Sequence, residues 1–310
     1  MIMDIVHCID DGYVAQCGVT ITSVCVNNVN EVILFHILTT DLSASNREVL
    51  KKIVDKYRQK IIFYNVDEHL LSKCPVREGD HVSLATYFRI LMPDILPKNL
   101  NKVLYLDCDL LVCKSIKSLW DTDILNYSLG AVYDGGTDDI RTYNRLKYDS
   151  LQGYFNAGVL LVNLAYWREF QISNKLLMFI EQYPERLMFW DQDALNSVLI
   201  QTTKILPFKY NMLDAFYTKE LAVREEYLLE IESVLCDPTI LHFSSPEKPW
   251  LKTCDHPLKF FFFEYLKRTP WNGKFPIYPF NTNLKSRFCL FLWNRGIVLG
   301  KKELKYRELS

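Results

Sequence analysis

Two aspartates one residue apart, Asp107 and Asp109, follow the apolar run Val103-Leu104-Tyr105-Leu106. A strand of this kind delivers its terminal carboxylates to the carboxyl edge of a sheet, where open α/β sheets bind ligands. Side chains two apart on an extended backbone face the same way, so both carboxylates are expected to converge on one cation. Paired hard oxygen donors suit Mg2+ or Mn2+ held together with substrate phosphates. The plain alternative is a loop carrying two solvated aspartates.

His242 is the second candidate, in Leu241-His242-Phe243-Ser244-Ser245-Pro246-Glu247-Lys248-Pro249-Trp250. Its imidazole can complete a Mn2+ site, and Lys248 can neutralise a diphosphate. A lone histidine is more often structural, so this reading depends on the company His242 keeps. Phe155-Asn156-Ala157-Gly158 and Asp191-Gln192-Asp193 form a third group. Asn, Gln and Asp hydrogen-bond sugar hydroxyls, and small residues let a ligand approach the backbone. A turn and a helix N-terminus explain the same residues structurally.

The composition supports a globular enzyme. Apolar residues make up 49% of the 310-residue chain, enough for a full core. The 36 basic and 37 acidic residues nearly cancel, which disfavours nucleic acid as a partner. Nine cysteines, an odd number without CxxC spacing, fit reduced thiols in a cytoplasmic protein. The N-terminus has neither the basic region nor the long apolar run of a signal peptide. No stretch approaches the roughly 20 apolar residues that span a bilayer.

The positioning elements follow from periodicity. Strands are expected at 4–9, 32–38, 60–65 and 102–106, with helices over 13–26 and from Ser43 through Tyr57. A helix is expected over 83–91, stopped by Pro93. Later strands are expected at 129–133, 157–162 and 239–243, a polar loop over 134–149, and helices over 164–183 and 191–200. Alternating strands and helices predict an open, largely parallel α/β sheet. The C-terminal stretch 285–307 interleaves Phe288, Phe291 and Trp293 with Arg287, Arg295, Lys301, Lys302, Lys305 and Arg307. Such a segment either lies in a membrane interface or packs on the body as a helix.

Taken together, the motifs resemble glycosyltransferase family 8, which includes bacterial lipopolysaccharide galactosyl- and glucosyltransferases. The resemblance runs over residues 4–271. It rests on Asp10-Asp11, Leu84-Ala85-Thr86-Tyr87-Phe88-Arg89, the run from Lys102 to Asp109, Leu119-Trp120-Asp121, the run from Tyr154 to Asn163, Asp191-Gln192-Asp193, and the run from His242 to Trp250, in that order. It implies a GT-A fold, a Rossmann-like mixed sheet flanked by helices, over residues 1–271. A helical, basic-aromatic extension at 272–310 with peripheral contact to the inner face of the cytoplasmic membrane completes the expectation.

The implied activity is retaining transfer of a hexose, galactose or glucose, from a UDP-sugar to a glycan or glycolipid such as lipopolysaccharide core. Asp107, Asp109 and His242 would bind Mn2+, with Mg2+ as the alternative. Lys248 would contact a phosphate, and Cys8 and Asp10 the uridine. Cys108 and Ser245 would complete the donor site. Arg89, Asn156, Ala157, Asp191 and Gln192 would surround the donor sugar, with Asp134 near sugar and acceptor. Two positions depart from the pattern: Gly12 stands where relatives often carry Asn, and Ser245 where Gly is usual.

Two readings compete. HAD-like phosphohydrolases also open a site with strand-Asp-x-Asp. They usually carry Thr or Val two places after the second Asp, where this chain has Leu111, and they carry the motif near the N-terminus. A non-catalytic nucleotide-sugar-binding protein is the other.

Overall fold

Short apolar runs flanked by turn residues become the strands, and the longer amphipathic or apolar stretches become the helices that cover them. The computed structural model describes residues 2–76, 84–221, 223–278, 287, 292, 306, 307 and 309. In chain order the strands are β1 (Ile2–Cys8), β2 (Val32–Thr39), β3 (Lys60–Asn65), β4 (Lys102–Leu106), β5 (Leu110–Val112), β6 (Leu129–Ala131), β7 (Val159–Asn163), β8 (Thr203–Ile205), β9 (Met212–Leu213) and β10 (Ile240–His242). The helices are α1 (Val14–Asn27), α2 (Ala44–Lys56), α3 (Met92–Ile95), α4 (Lys117–Trp120), α5 (Ile140–Leu146), α6 (Leu164–Glu169), α7 (Ile172–Gln182), α8 (Trp190–Leu199), α9 (Glu225–Val234) and α10 (Phe260–Leu266).

The main sheet has the order β3-β2-β1-β4-β7-β6-β8. The first four strands pair in parallel, but β7 runs antiparallel to both β4 and β6. The sheet is therefore mixed but still largely parallel, with β7 opposed to its other strands. One core layer packs α1, α2 and α10 on one face, and a second packs α3, α6, α7 and α8 on the other. A small second sheet, β5-β10-β9, stands beside the first.

Helix α1 is buried on nearly every side, so its polar residues need internal partners. They find them in the segment that follows β4. Thr20 Oγ1 donates to the carbonyls of Cys108 at 3.1 Å and Leu110 at 2.9 Å. Ser23 Oγ accepts from Val112 N, and Asn27 Nδ2 donates to Val112 O, each at 2.9 Å. Residues 20, 23 and 27 share one helix face by their spacing. That face clamps the turn joining the two sheets.

Several expectations need correction. The segment Leu84–Leu91 is 3-10 rather than α-helical, and Pro93 sits in the first turn of α3 instead of ending a helix. The expected loop at 134–149 contains α5, capped by Asp139, which accepts from the N–H groups of Arg141 and Thr142. Its seven residues are too few to show a periodic stripe. The expected single helix at 164–183 is two, because Gln171 adopts a left-handed φ of 50° between α6 and α7. The strand expected at 129–133 ends at Ala131, and Tyr133 makes an isolated bridge to Phe155.

All the described cysteines are free. No helix among the described residues is long and apolar enough to cross a membrane. The expected helix at 285–307 falls largely outside the described residues. Tyr306, near the chain end, is buried and bridges to Thr218, and Arg307 N donates to Tyr217 O at 2.9 Å.

His7, on β1, is buried in the core beside Cys17 of α1. Its Nδ1 donates to Leu106 O at 2.7 Å, and burial lowers its pKa to about 4. The unfolded chain takes up this proton near pH 6.5, whereas the folded protein refuses it until about pH 4. Stability from His7 is therefore full above pH 6.5 and is lost as pH falls through this window, by roughly 3 kcal/mol in total. Urea unfolding of the wild type and of His7→Asn between pH 7 and 4.5 should show the stability difference between them shrinking by that order. An unchanged difference would contradict it.

Candidate active site

The chain leaves the main sheet at Leu106 and enters the small sheet at Leu110, and Asp107, Cys108 and Asp109 form the join. Cys108 and Asp109 lie in a turn, not on extended backbone. Both carboxylates nonetheless reach one cleft, because the backbone is held from both sides. Asp107 N donates to Gly158 O at 2.8 Å, and Phe243 N donates to Asp109 O at 3.0 Å. In the small sheet His242 pairs with Leu110, which brings the imidazole beside Asp109. Two neighbouring aspartates and a histidine distant in sequence thus converge, with ligand atoms all within 4.8 Å of one another.

The charges are arranged as a buried alternation. Asp109 Oδ2 is 2.6 Å from Lys248 Nζ, and its Oδ1 is 3.1 Å from His242 Nε2. Burial opposes ionisation of Asp109, but Lys248 and His242 outweigh it and hold its pKa well below the usual carboxylate range. Burial also disfavours charge on His242, yet Asp109 beside it raises its pKa above the ordinary value. Arg89 is buried between two further carboxylates, 3.1 Å from Asp107 Oδ1 and 3.1 Å from Asp191 Oδ2. Arg89 Nη1 donates to Ala157 O at 2.6 Å, and its guanidinium lies over the Tyr105 ring.

The donor set suits a divalent cation. Asp109 Oδ1 is buried without a hydrogen bond, although His242 Nε2 is close. His242 Nδ1 lies 2.9 Å from Asn211 Oδ1, the outer partner that leaves Nε2 available as a ligand. The space beside these groups depends on Gly158. A Cβ there would stand 2.2 Å from His242 Cε1 and 2.8 Å from Asp107 Oδ2.

Asp107, Asp109, His242 and Lys248 line a cleft of about 550 Å3 together with Arg89, Asp134, Asn156, Ala157, Asp191, Gln192 and Ser245. Cys8, Asp10 and Cys108 line a smaller cleft of about 130 Å3 that shares Asp107 and Asp109 with it. Every residue given a role by the resemblance thus borders one of two adjoining spaces, whereas Asp193 is buried away from both, 2.6 Å from Arg145 Nη1. The Cys108 thiol, however, lies 4.0 Å from His7 Nδ1 and close to Cys17, in a buried group. Asp10 Oδ1 accepts from Gly12 N at 2.9 Å. The Ser245 N–H donates to Asp214 Oδ2 at 2.8 Å.

The floor of the larger cleft is a hydrogen-bond network. Asp134 Oδ2 accepts from Gln192 Nε2 at 3.0 Å and from Asn156 Nδ2 at 3.2 Å. Gln192 Oε1 accepts from Ala157 N at 2.9 Å and from Asn156 Nδ2 at 3.2 Å. Asp191 Oδ1 accepts from Thr86 Oγ1 at 2.8 Å, while its buried Oδ2 has no hydrogen bond. Burial raises the Asp191 pKa to about 6, against the lowering effect of Arg89 and Thr86.

Sequence reasoning missed Tyr13, Thr86, Asn211 and Asp214. Tyr13 and Thr86 line both clefts, and Asp214 lines the larger. Thr86 lay inside a quoted motif. Asn211 and Asp214 follow short elements with no chemical pattern of their own.

A mixed α/β sheet that gathers two aspartates and a histidine at its carboxyl edge, beside a cleft floored by amides, is the architecture of a sugar-transferring enzyme. The chain belongs to glycosyl transferase family 8, whose profile matches residues 4–254. It is 31% identical over 283 residues to general stress protein A of Bacillus subtilis (strain 168), covering 87% of this chain and 95% of that protein. It is 25% identical to the lipopolysaccharide 1,3-galactosyltransferase of Salmonella typhimurium (strain LT2), covering 87% of this chain and 79% of that one. Among solved structures, it resembles the galactosyltransferase LgtC crystallised with donor and acceptor sugar analogs. That match has a TM-score of 0.79 and 29% identity, and covers 88% of this chain and 100% of the other. The phosphohydrolase and non-catalytic readings fall with this assignment.

Gly158→Ala tests the shape of the site. The added methyl should weaken binding of a divalent cation about tenfold or more, read by calorimetry with Mn2+ as the probe. Wild-type affinity in the folded variant would show that the space beside His242 is not used.

Proposed function

We propose that this enzyme transfers a hexose, galactose or glucose, from a UDP-sugar to a cell-envelope glycan, with retention at the anomeric carbon. The convergence of Asp107, Asp109, His242 and Lys248 on one cleft carries the reading. A divalent cation held by Asp107, Asp109 and His242, Mn2+ by preference and Mg2+ as the alternative, would act as a Lewis acid on the donor diphosphate. Lys248, already drawn in by Asp109, would add its charge where the departing UDP becomes more negative. Cys8 and Asp10, joined by Tyr13, would hold the uridine. Asp191, whose Oδ2 is buried 3.1 Å from Arg89 Nε, would lie beside the donor sugar.

The network around Gln192 bears on the route. An amide oxygen is a weak nucleophile, and Gln192 Oε1 already accepts from two donors. This supports front-face attack by the acceptor on a short-lived oxocarbenium ion. On that route the leaving phosphate oxygen takes the acceptor proton, and no dedicated base is needed. Asp134, saturated by its neighbours, serves to orient Gln192 and Asn156.

The acceptor we favour is lipopolysaccharide core, on the strength of the Salmonella relative's name. We assign the transferase unit to residues 1–271 and an extension to 272–310 that touches the inner face of the cytoplasmic membrane through its basic and aromatic residues. Burial of Tyr306 makes deletion of the whole segment a poor test. Replacing Lys301, Lys302 and Lys305 with Gln should instead reduce sedimentation with anionic vesicles while leaving UDP-sugar hydrolysis intact. Unchanged sedimentation would remove the membrane role.

UDP release from a panel of UDP-sugars with Mn2+ tests the activity directly. Asp107→Asn should lower turnover about a hundredfold or more while the circular dichroism spectrum stays native. Near-wild-type turnover in that variant would sink the assignment of the site. Mass spectrometry with a slow donor should find no glycosyl adduct on Gln192 or Asp191, and an adduct on either would overturn the front-face route.

A further inference from the structure

Asn211 is fully buried behind the cleft, where it joins His242 to Asn156. His242 Nδ1 is 2.9 Å from Asn211 Oδ1, and Asn211 Nδ2 donates to Asn156 Oδ1 at 2.9 Å. Asn156 Nδ2 in turn donates to Asp134 Oδ2 at 3.2 Å. The two ends of an amide are alike in shape but opposite in role, since the oxygen only accepts and the nitrogen only donates. The direction of such a chain is set by groups that have a single role.

This chain has one at each side of Asn156. The Gly158 N–H can only donate, and it donates to Asn156 Oδ1 at 2.9 Å. The Asp134 carboxylate accepts from the Asn156 nitrogen. Asn156 is thereby fixed, and its oxygen requires Asn211 to turn its nitrogen inward. The Asn211 oxygen then faces His242 and requires a proton on Nδ1. Nε2 is then the ring nitrogen that faces the cation site, 3.1 Å from Asp109 Oδ1, which holds a proton there until a cation displaces it.

We infer that Asn211 is a positioning residue: it passes the polarity of the Gly158 backbone to His242 and ties that ligand to the amides that floor the sugar end of the cleft. The inference rests on reading Asp107, Asp109 and His242 as the cation site. It adds a directional demand that a space-filling amide would not make. Asn211→Asp keeps an acceptor for His242 but sets a second oxygen against Asn156. Asn211→Ala removes both functions.

Three measurements test it. Long-range 1H–15N NMR of metal-free Asp109→Ala, which lacks the carboxylate that competes for a proton on Nε2, should show the Nδ1–H tautomer for His242 at a pH alkaline enough for a neutral ring. The Nε2–H tautomer would overturn the relay. Asn211→Ala should weaken Mn2+ binding in the presence of UDP by about 10- to 100-fold. Asn211→Asp should lose less metal affinity than Asn211→Ala, yet should show a lowered kcat for UDP-sugar hydrolysis because Asn156 is displaced. If both variants fold and match the wild type in metal affinity and kcat, the inference is wrong. If neither folds, the tautomer decides alone. The Nδ1–H tautomer together with a wild type that binds no Mn2+ would refute the cation site and leave the relay standing.

Discussion

Burying an ionised carboxylate is costly unless cations or hydrogen-bond donors stand beside it, and this constraint governs the centre of the molecule. Asp107 and Asp191 share Arg89, while Asp109 is held between Lys248 and His242. The six groups come from five different segments of the chain. Moving any one leaves a buried charge uncompensated, so the sheets, the 3-10 segment that carries Arg89 and the loop that carries Lys248 must all meet at one place.

The meeting place is the join between the two sheets. Between Leu106 and Leu110 the backbone passes from one set of strands to the other, and its polar groups are claimed by Gly158, Phe243 and Thr20. A buried helix that would otherwise carry costly hydroxyls uses them to pin this segment. The glycine that accepts from Asp107 N also leaves the open space beside His242. Packing and chemistry therefore depend on the same few atoms.

The first half of the fold was legible because its strands and helices are long and regular. β1 to β4, α1 and α2 each repeat an apolar pattern over enough residues to be recognised locally. The pieces that escaped were short. β5, β8 and β9 have two or three residues each, and α5 has seven. They exist because distant partners pair with them, which no local pattern records. The break between α6 and α7 at Gln171 is likewise a backbone choice that the apolar spacing of 164–183 conceals.

For the site, the sequence by itself determined the chemical inventory. Two carboxylates at a strand end, an imidazole followed by a lysine, and small and amide side chains in the order of a known family are properties of residue type and spacing. Only the tertiary structure decided which of these touch and through what. It turned the Cys108 thiol toward the core, committed the Ser245 N–H to Asp214, and brought in Asn211, whose importance lies wholly in its neighbours. The reason is that hydrogen-bond direction and charge compensation are relations between groups far apart in the chain, and a linear order of residues carries no distances between them.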